Sequence, residues 1–477
     1  MAGRFLSLFK PVARIIPEIK VPERRVRFNE KIFWTALVLI IFLIMSEVPL
    51  YGIAVSALGE LAALRVIFAS SRGSLMELGI GPIVTAGLIL QLLVGSNMID
   101  ADMSNPEDRG LFTTASKVFS IVLTGVQASA YIMGGMYGTL AGSTAIIVFL
   151  QLIAAGIIVL LLDELVQKGW GFGSGISLFI MAGVAQHIFW QSFSPLTAVG
   201  EAGSYGFFFA LANVLASGQP VSSLWLRGGT QNPTMLGFIT TIAAFLIIIY
   251  MEGVRVELPL SHAGYKGYRS RYPIKLLYVS NLPVIFASAL FANVYFFSQL
   301  FWSMGGQPSP GLNPWLDILG QYRVATNGTS LQPVGGLVYF VTAPRTFVSV
   351  MQDPLQAFGY LGILVVFCVI FSLTWLEVGG LGPSTVAKQL VDAGMQIPGY
   401  RRSGRAVESI LKRYIPAVTV VGGIVVGLIA GITDFFGVFG SGMGILLSVG
   451  IIYQYYEVLM QERAAEMYPA FRRIFGE

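Results

Sequence analysis

The side chains that carry chemistry in most proteins are scarce and scattered here. His187 and His262 are the two histidines, far apart in the chain, and Cys368 is the lone cysteine, set inside an apolar run. Neither an intrachain disulfide nor a His/Cys metal cluster is expected from that supply. The G-x-x-x-x-G-K-[ST] pattern that cradles nucleotide phosphates does not occur. Acidic residues Glu47, Glu77, Asp163, Glu164, Glu252, Glu377, Asp434 and Glu457 fall near the ends of apolar runs. A charge in mid-membrane usually marks an ion or proton path, so ion coupling is not indicated. No catalytic residue, metal or cofactor is expected, and the chain does not read as an enzyme.

The residues that do repeat with a useful spacing are aliphatic. ELGIGPIVTAGLILQLLVGS, residues 77–96, opens with Gly-Ile-Gly-Pro and places Ile80 four residues before Val84. Proline at the first turn of a helix loses no internal hydrogen bond, so the helix is expected to begin partway through a membrane-embedded segment. GFGSGISLFI, residues 171–180, repeats the design with Ile176 and Ile180. Side chains at i and i+4 share a helix face. Two such helices facing one axis would build an apolar collar, which can close a wide pore by dewetting. The same pattern also fits ordinary helix packing, where Gly and Ser permit close approach.

The elements that must hold these pairs are membrane spans. Of 477 residues, 55% are hydrophobic and 12% charged, with mean hydropathy +0.73; soluble domains carry about 25% charged residues. The apolar runs have helical length, so the expected class is an all-α polytopic membrane protein with ten transmembrane helices. They are expected near 31–50, 77–96, 115–138, 143–164, 174–192, 234–252, 277–303, 354–377, 415–433 and 438–459. Residues 53–76 are too polar to span, with Glu60, Arg65 and Arg72, and read as half-inserted; irregular backbone survives at that depth only inside protein or a wet cavity. The N-terminus is basic and broken by prolines, so no cleavable signal peptide is expected.

Ten spans put both termini on one side. The segments on that side hold 25 of the 30 Lys and Arg, leaving Arg65, Arg72, Arg227, Arg323 and Arg345 opposite. Positive charge favours the inner face, so both termini are expected in the cytoplasm. Outer segments 193–233 and 304–353 are rich in Gly, Pro, Asn and Ser and read as surface loops with short helices. Asn327-Gly328-Thr329 is a glycosylation sequon on that side.

Four stretches together resemble the SecY family, the central subunits of protein-conducting channels, equivalent to the alpha subunit of the eukaryotic Sec translocon. They are ELGIGPIVTAGLILQLLVGS, LDELVQKGWGFGSGISLFI, RVELPL with YPIKLLYVSNLPVIFASALFANV, and LKRYIPAVT. The resemblance runs from about residue 20 to the C-terminus, and the loops look archaeal. It implies two pseudo-symmetric halves, spans 1–5 (31–192) and spans 6–10 (234–459), around a central hourglass pore. An outer loop (193–233) joins the halves, and a cytoplasmic tail (460–477) follows. It implies a pore ring of Ile80, Val84, Ile176, Ile180, Ile285 and Leu447. A plug is implied at about 57–71, with Leu61, Leu64, Val66 and Ile67, and a lateral gate at Thr85, Gln127 and Asn293. Gln127 departs from the acidic residue expected in archaeal relatives.

The implied partners are a SecE-type and a beta-type small subunit, the ribosome, signal sequences and nascent polypeptides, and membrane lipid. Two basic cytoplasmic loops, 253–276 and 378–414, are implied to dock ribosomal RNA. The first carries Arg255, Lys266, Arg269 and Arg271; the second carries Arg401, Arg402 and Arg405. Lys266 and Arg401 match the family's contact positions. Exposed basic side chains bind RNA phosphates through counterion release, although positive-inside topology alone also places them there. Residues 1–30 resemble an amphipathic segment lying on the membrane surface. The function implied is passage of unfolded secretory polypeptides across the cell membrane, with sideways release of transmembrane segments. A multi-helix solute transporter or lipid flippase is the alternative; it accounts for broken helices but not for the isoleucine pairs and basic loops together.

Overall fold

The structure is a computed structural model. It describes residues 4–11, 17–24, 26–53, 73–95, 98–99, 106–133, 137, 140–196, 203–227, 232–262, 269–277, 282–304, 314–324, 331–392, 395–396 and 404–467. Among the described residues ten long helices follow the apolar runs. They are α1 (Phe28–Glu47), α2 (Gly81–Gly95), α3 (Pro106–Met133), α4 (Gly142–Leu165), α5 (Gly175–Phe193), α6 (Met235–Gly253), α7 (Leu282–Met304), α8 (Pro354–Val378), α9 (Gly404–Phe435) and α10 (Gly442–Met467). Among the described residues nine of them are long and apolar enough to cross a membrane. The exception is α2, at 15 residues. At 1.5 Å per residue it extends about 22 Å, short of a hydrocarbon core of about 30 Å.

The shortfall has a local cause. Residues 73–80 are turns rather than helix, pinned to the end of α1. Leu50 N donates to Gly73 O at 2.8 Å, Leu75 N donates to Val48 O at 3.0 Å, and Pro49 bridges to Ser74. Gly79 takes φ +54°, a left-handed value that costs a residue with a Cβ about 1–2 kcal/mol, and α2 starts two residues later. The break expected from Gly-Ile-Gly-Pro is therefore real. The span expected at 77–96 begins only at Gly81.

Three other helices outrun their expected limits. The third was expected from 115 but starts at Pro106, with Glu107 and Asp108 in its first turn, where acids complement the helix dipole. The ninth was expected from 415 but starts at Gly404, with Pro416 inside it; a proline can be kept within a membrane helix when its surroundings satisfy the freed backbone groups. The tenth runs to Met467 rather than 459. Their polar turns extend beyond the apolar runs on which the expectations rested.

The described N- and C-terminal segments meet at one end of the bundle, the near end. Lys31 meets Glu462 at 2.5 Å and Lys168 meets Glu18 at 2.5 Å. Helix Arg4–Ser7 buries Leu6 with Leu90, Ile99, Leu111 and Ala115, and Lys10 pairs with Glu107 at 2.8 Å. That part of the N-terminal segment rests on the bundle itself. The near end also carries strands, so the fold is mostly helical rather than wholly so. β1 (Arg255–His262) pairs antiparallel with β2 (Arg269–Lys275). At the other end, β3 (Gln321–Val324) pairs with β4 (Leu331–Gly335), and helices Phe207–Ser217 and Pro314–Leu319 sit in the long connections. The last strand, β5 (Met395–Gln396), returns to β1, giving the order β2-β1-β5.

One large apolar cluster runs through the middle of the bundle, with contributions from α1, α2 and α4 to α10. Burying such side chains gains about 25 cal/mol per Å² against water. Between helices in a membrane that gain is absent, and close packing holds them together.

Candidate functional site

Ile80 sits in the turn just before α2, and Val84 N donates to its carbonyl at 3.0 Å. Ile176 and Ile180 lie on the first turns of α5, Ile285 on α7 and Leu447 on α10. All six side chains belong to the same central cluster. Ile80, Ile180 and Leu447 are 0% exposed, Val84 is buried, and Ile176 and Ile285 are half-buried. Four helices far apart in sequence thus deliver aliphatic side chains to one dry region.

The start of α5 is fixed by groups outside the ring. Asp163, near the end of α4, accepts from Ile176 N through Oδ1 at 2.9 Å and from Gln167 Nε2 through Oδ2 at 2.8 Å. It occupies two donors, one of them a backbone N–H that the helix N-terminus would leave unmet. From α10, the Tyr455 hydroxyl lies 2.9 Å from the carbonyl oxygens of both Phe172 and Ser174. Gly173, between them, has φ +65°, and a Cβ there would stand 2.8 Å from the tyrosine oxygen. Tyr455 carries no signal in its spacing; only the fold brings it to the glycine break.

The second assembly joins α2 to α7. Asn293 Nδ2 donates to Thr85 Oγ1 at 3.2 Å and to Ala289 O, on its own helix, at 2.8 Å. Gln127 on α3 is half-buried and, among the described residues, shares no hydrogen bond with that pair. One turn along, Tyr131 stacks on Phe296 of α7 with centroids 5.0 Å apart. Sequence reasoning missed this ring pair. An (i, i+3) relation of Phe296 to Asn293 was its only trace.

A family model named SecY matches residues 74–456, and one described as the plug domain of Sec61p matches residues 40–73. The protein translocase subunit SecY of Pyrococcus furiosus is 42% identical, over 97% of each chain. The chain belongs to the SecY family. A solved structure of a protein-conducting channel superposes with TM-score 0.80 at 37% identity, covering 96% of this chain and 98% of that one. The channel of a canine ribosome–channel complex from the endoplasmic reticulum gives 0.77, also at 37% identity and the same coverage.

The two basic segments of this SecY-family chain are joined through strand pairing. Pairing of Ser261 with Gln396 and of His262 with Met395 ties β1 to β5. Beneath them Ile274, Leu376, Val386, Ala387, Val407, Leu411 and Ile415 form a common apolar cluster. Arg255 and Arg271 are exposed and share Glu257, at 3.7 and 2.6 Å. The Arg271 hydrogen bond holds the Glu257 carboxyl below its ordinary range. Arg405, at the start of α9, is exposed. Arg269 belongs to β2 through its backbone. Lys266, Arg401, Arg402, the plug residues Leu61, Leu64, Val66 and Ile67, and the Asn327 sequon lie outside the described residues.

Proposed function

We propose that Ile80, Val84, Ile176, Ile180, Ile285 and Leu447 form the constriction of a polypeptide pore, and that the α2–α7 contact is its sideways exit. The chain is a subunit of protein translocase and a protein-conducting channel of the membrane. Its partners are the small SecE-type and beta-type subunits and the ribosome. The observation that carries the ring is convergence: six aliphatic side chains from α2 and the turn before it, α5, α7 and α10 share one core cluster, three of them wholly shielded from solvent. A ring of this kind has no polar group with which to hold a solute. Flexible side chains can part for an extended polypeptide and close again, and closure excludes water and ions.

The exit reading rests on how little joins α2 to α7. One hydrogen bond between neutral side chains contributes about 0.5–1.5 kcal/mol, which a hydrophobic signal segment can outweigh. Thr85 and Asn293 are its polar pair, with Tyr131 and Phe296 beside them, and Gln127 is its third polar side chain, one turn from Tyr131 on α3. Residues 57–71, within the stretch that matches the plug-domain model, act as the plug. The near end faces the cytoplasm and the protein resides in the cell membrane, as the 25 of 30 basic residues argue. The platform of β1, β2 and β5 presents its arginines to ribosomal RNA. The chain itself catalyses no reaction.

The test is translocation by the purified complex in vesicles. Ribosomes carrying nascent secretory chains are expected to deliver them into a protease-protected space. Uptake of a small solute along an ion gradient, with no protected polypeptide, would overturn the reading.

A further inference from the structure

The glycine break before α5 is held from two sides, and one ion pair joins the two sides beyond it. On α1, Lys31, Thr35, Val38 and Phe42 recur at i, i+4, i+7 and i+11, a helix face about 60° wide. Thr35 Oγ1 donates to Lys31 O at 2.7 Å and accepts from Phe172 N at 3.1 Å; a hydroxyl can do both at once. A Cβ on Gly171 would stand 3.0 Å from the same oxygen. Farther along that face, Phe42 stacks on Phe179 of α5 with centroids 4.8 Å apart.

On α10, Leu447, Ile451, Tyr455 and Glu462 recur at i, i+4, i+8 and i+15, a face about 80° wide. It starts in the central cluster with Leu447 and Ile451, continues to the Tyr455 hydroxyl on Phe172 O, and ends at Glu462. Phe172 is thus held by both helices, through its N–H on α1 and through its carbonyl on α10. A break in a helix lacks intrahelical partners for such groups, so contacts from outside fix its place. Four residues on comes Ile176, and then Ile180.

Lys31 meets Glu462 at 2.5 Å, with side chains 15 and 27% exposed, across 431 residues of sequence. Glu462 stands on the polar turns that carry α10 past its apolar run, and those turns are what bring it to α1. A fully exposed ion pair contributes little to stability. A half-buried one is screened less, and its attraction weakens as the two helix ends part. Its effect is therefore on the spacing of α1 and α10.

We propose that Lys31 and Glu462 are a positioning pair: they keep α1 and α10 closed on Phe172, and so set where Ile176 and Ile180 enter the constriction. The second half of that statement rests on the ring reading; the first does not. The test uses the full chain, purified with its small subunits and reconstituted in vesicles. Hydrogen exchange over residues 171–176 and resting ion conductance are measured on one preparation, and peptides from α8 report general loosening. Lys31→Glu and Glu462→Lys are each expected to speed exchange over 171–176 severalfold and to raise conductance, with α8 unchanged. The two reversals combined are expected to return both readouts toward the parent. The combination also removes the ammonium that lies 5.8 Å from the Phe172 ring centroid, so recovery assigns the effect to the pair and not to that contact. Glu462→Gln keeps the shape without the charge; it is expected to act in the same direction by less, and it serves if a reversal does not fold. Unchanged exchange over 171–176 would overturn the pair, as would equal loosening of α8. Failure of the combined variant to recover would do the same and leave Lys31 to topology alone. Faster exchange that the combined variant reverses, with conductance unchanged throughout, would leave the pair standing and remove Ile176 and Ile180 from the constriction.

Discussion

At the residue scale the informative contact is Tyr455 against the glycine break before α5. Its hydroxyl meets two carbonyls, but Ser174 O also accepts from Leu178 N at 3.1 Å. Tyr455→Phe therefore strips Phe172 O of the hydroxyl while Ser174 O keeps a partner. The expected loss is about 1 kcal/mol. Gly173→Ala meets both a left-handed backbone and a Cβ contact of 2.8 Å, and is expected to cost more, about 2 kcal/mol or above. The order should persist in the Tyr455→Phe background, because the ring carbon Cζ still lies 2.9 Å from the new methyl. Unfolding in detergent at one scan rate checks this. Equal losses for the two single variants would show that the hydroxyl, not the close approach, holds the break.

At the element scale, what matters is where α2 and α5 begin. Both start at a glycine-containing break, and their aliphatic pairs belong to the same core cluster as Leu447 of α10 and Ile285 of α7. Serine at Ile80 and Ile176 together is expected to wet the constriction and raise the resting ion conductance of reconstituted vesicles. Side chains that merely filled a core would respond differently. An unpaired buried hydroxyl would then cost about 1–3 kcal/mol each, lowering stability without a leak. Conductance and thermal stability measured on the same preparation separate the two. A second element-scale consequence concerns α7. Asn293→Leu removes the Asn293–Thr85 bond, worth about 1 kcal/mol or roughly fivefold in an opening equilibrium, and should let weaker signal segments enter. An unchanged signal-strength threshold would remove Asn293 from the gate.

At the scale of the whole molecule, the near end behaves as one surface. The connection between β1 and β2 carries Lys266, and the one between β5 and α9 carries Arg401; β1 and β5 pair directly. Charge reversal at both positions is expected to weaken ribosome binding and to flatten its salt dependence by about one for each phosphate no longer neutralised. Insertion should persist, since two reversals leave most of the basic excess in place. Affinity measured across a salt series checks it. An unchanged slope would assign these charges to topology alone.

The sequence by itself determined the membrane class, the approximate spans, the break before α2, and the aliphatic pairs at (i, i+4). Each of these is a local property: apolar length, a Gly-Pro start or helical spacing. Four sequence motifs also sufficed to point to the family. Helix limits at Pro106, Gly404 and Met467 escaped, because hydropathy registers the edge of an apolar run while the backbone continues through polar turns. Tertiary structure decided the rest. That Ile80, Ile180 and Leu447 share one dry cluster, that Asn293 reaches Thr85 while Gln127 does not, and that Tyr455 seats on Gly173 depend on packing between segments far apart in the chain. The union of the two basic loops through β1 and β5 has the same origin. Strand pairing satisfies backbone groups between partners, and nothing in either strand's own residues names the other.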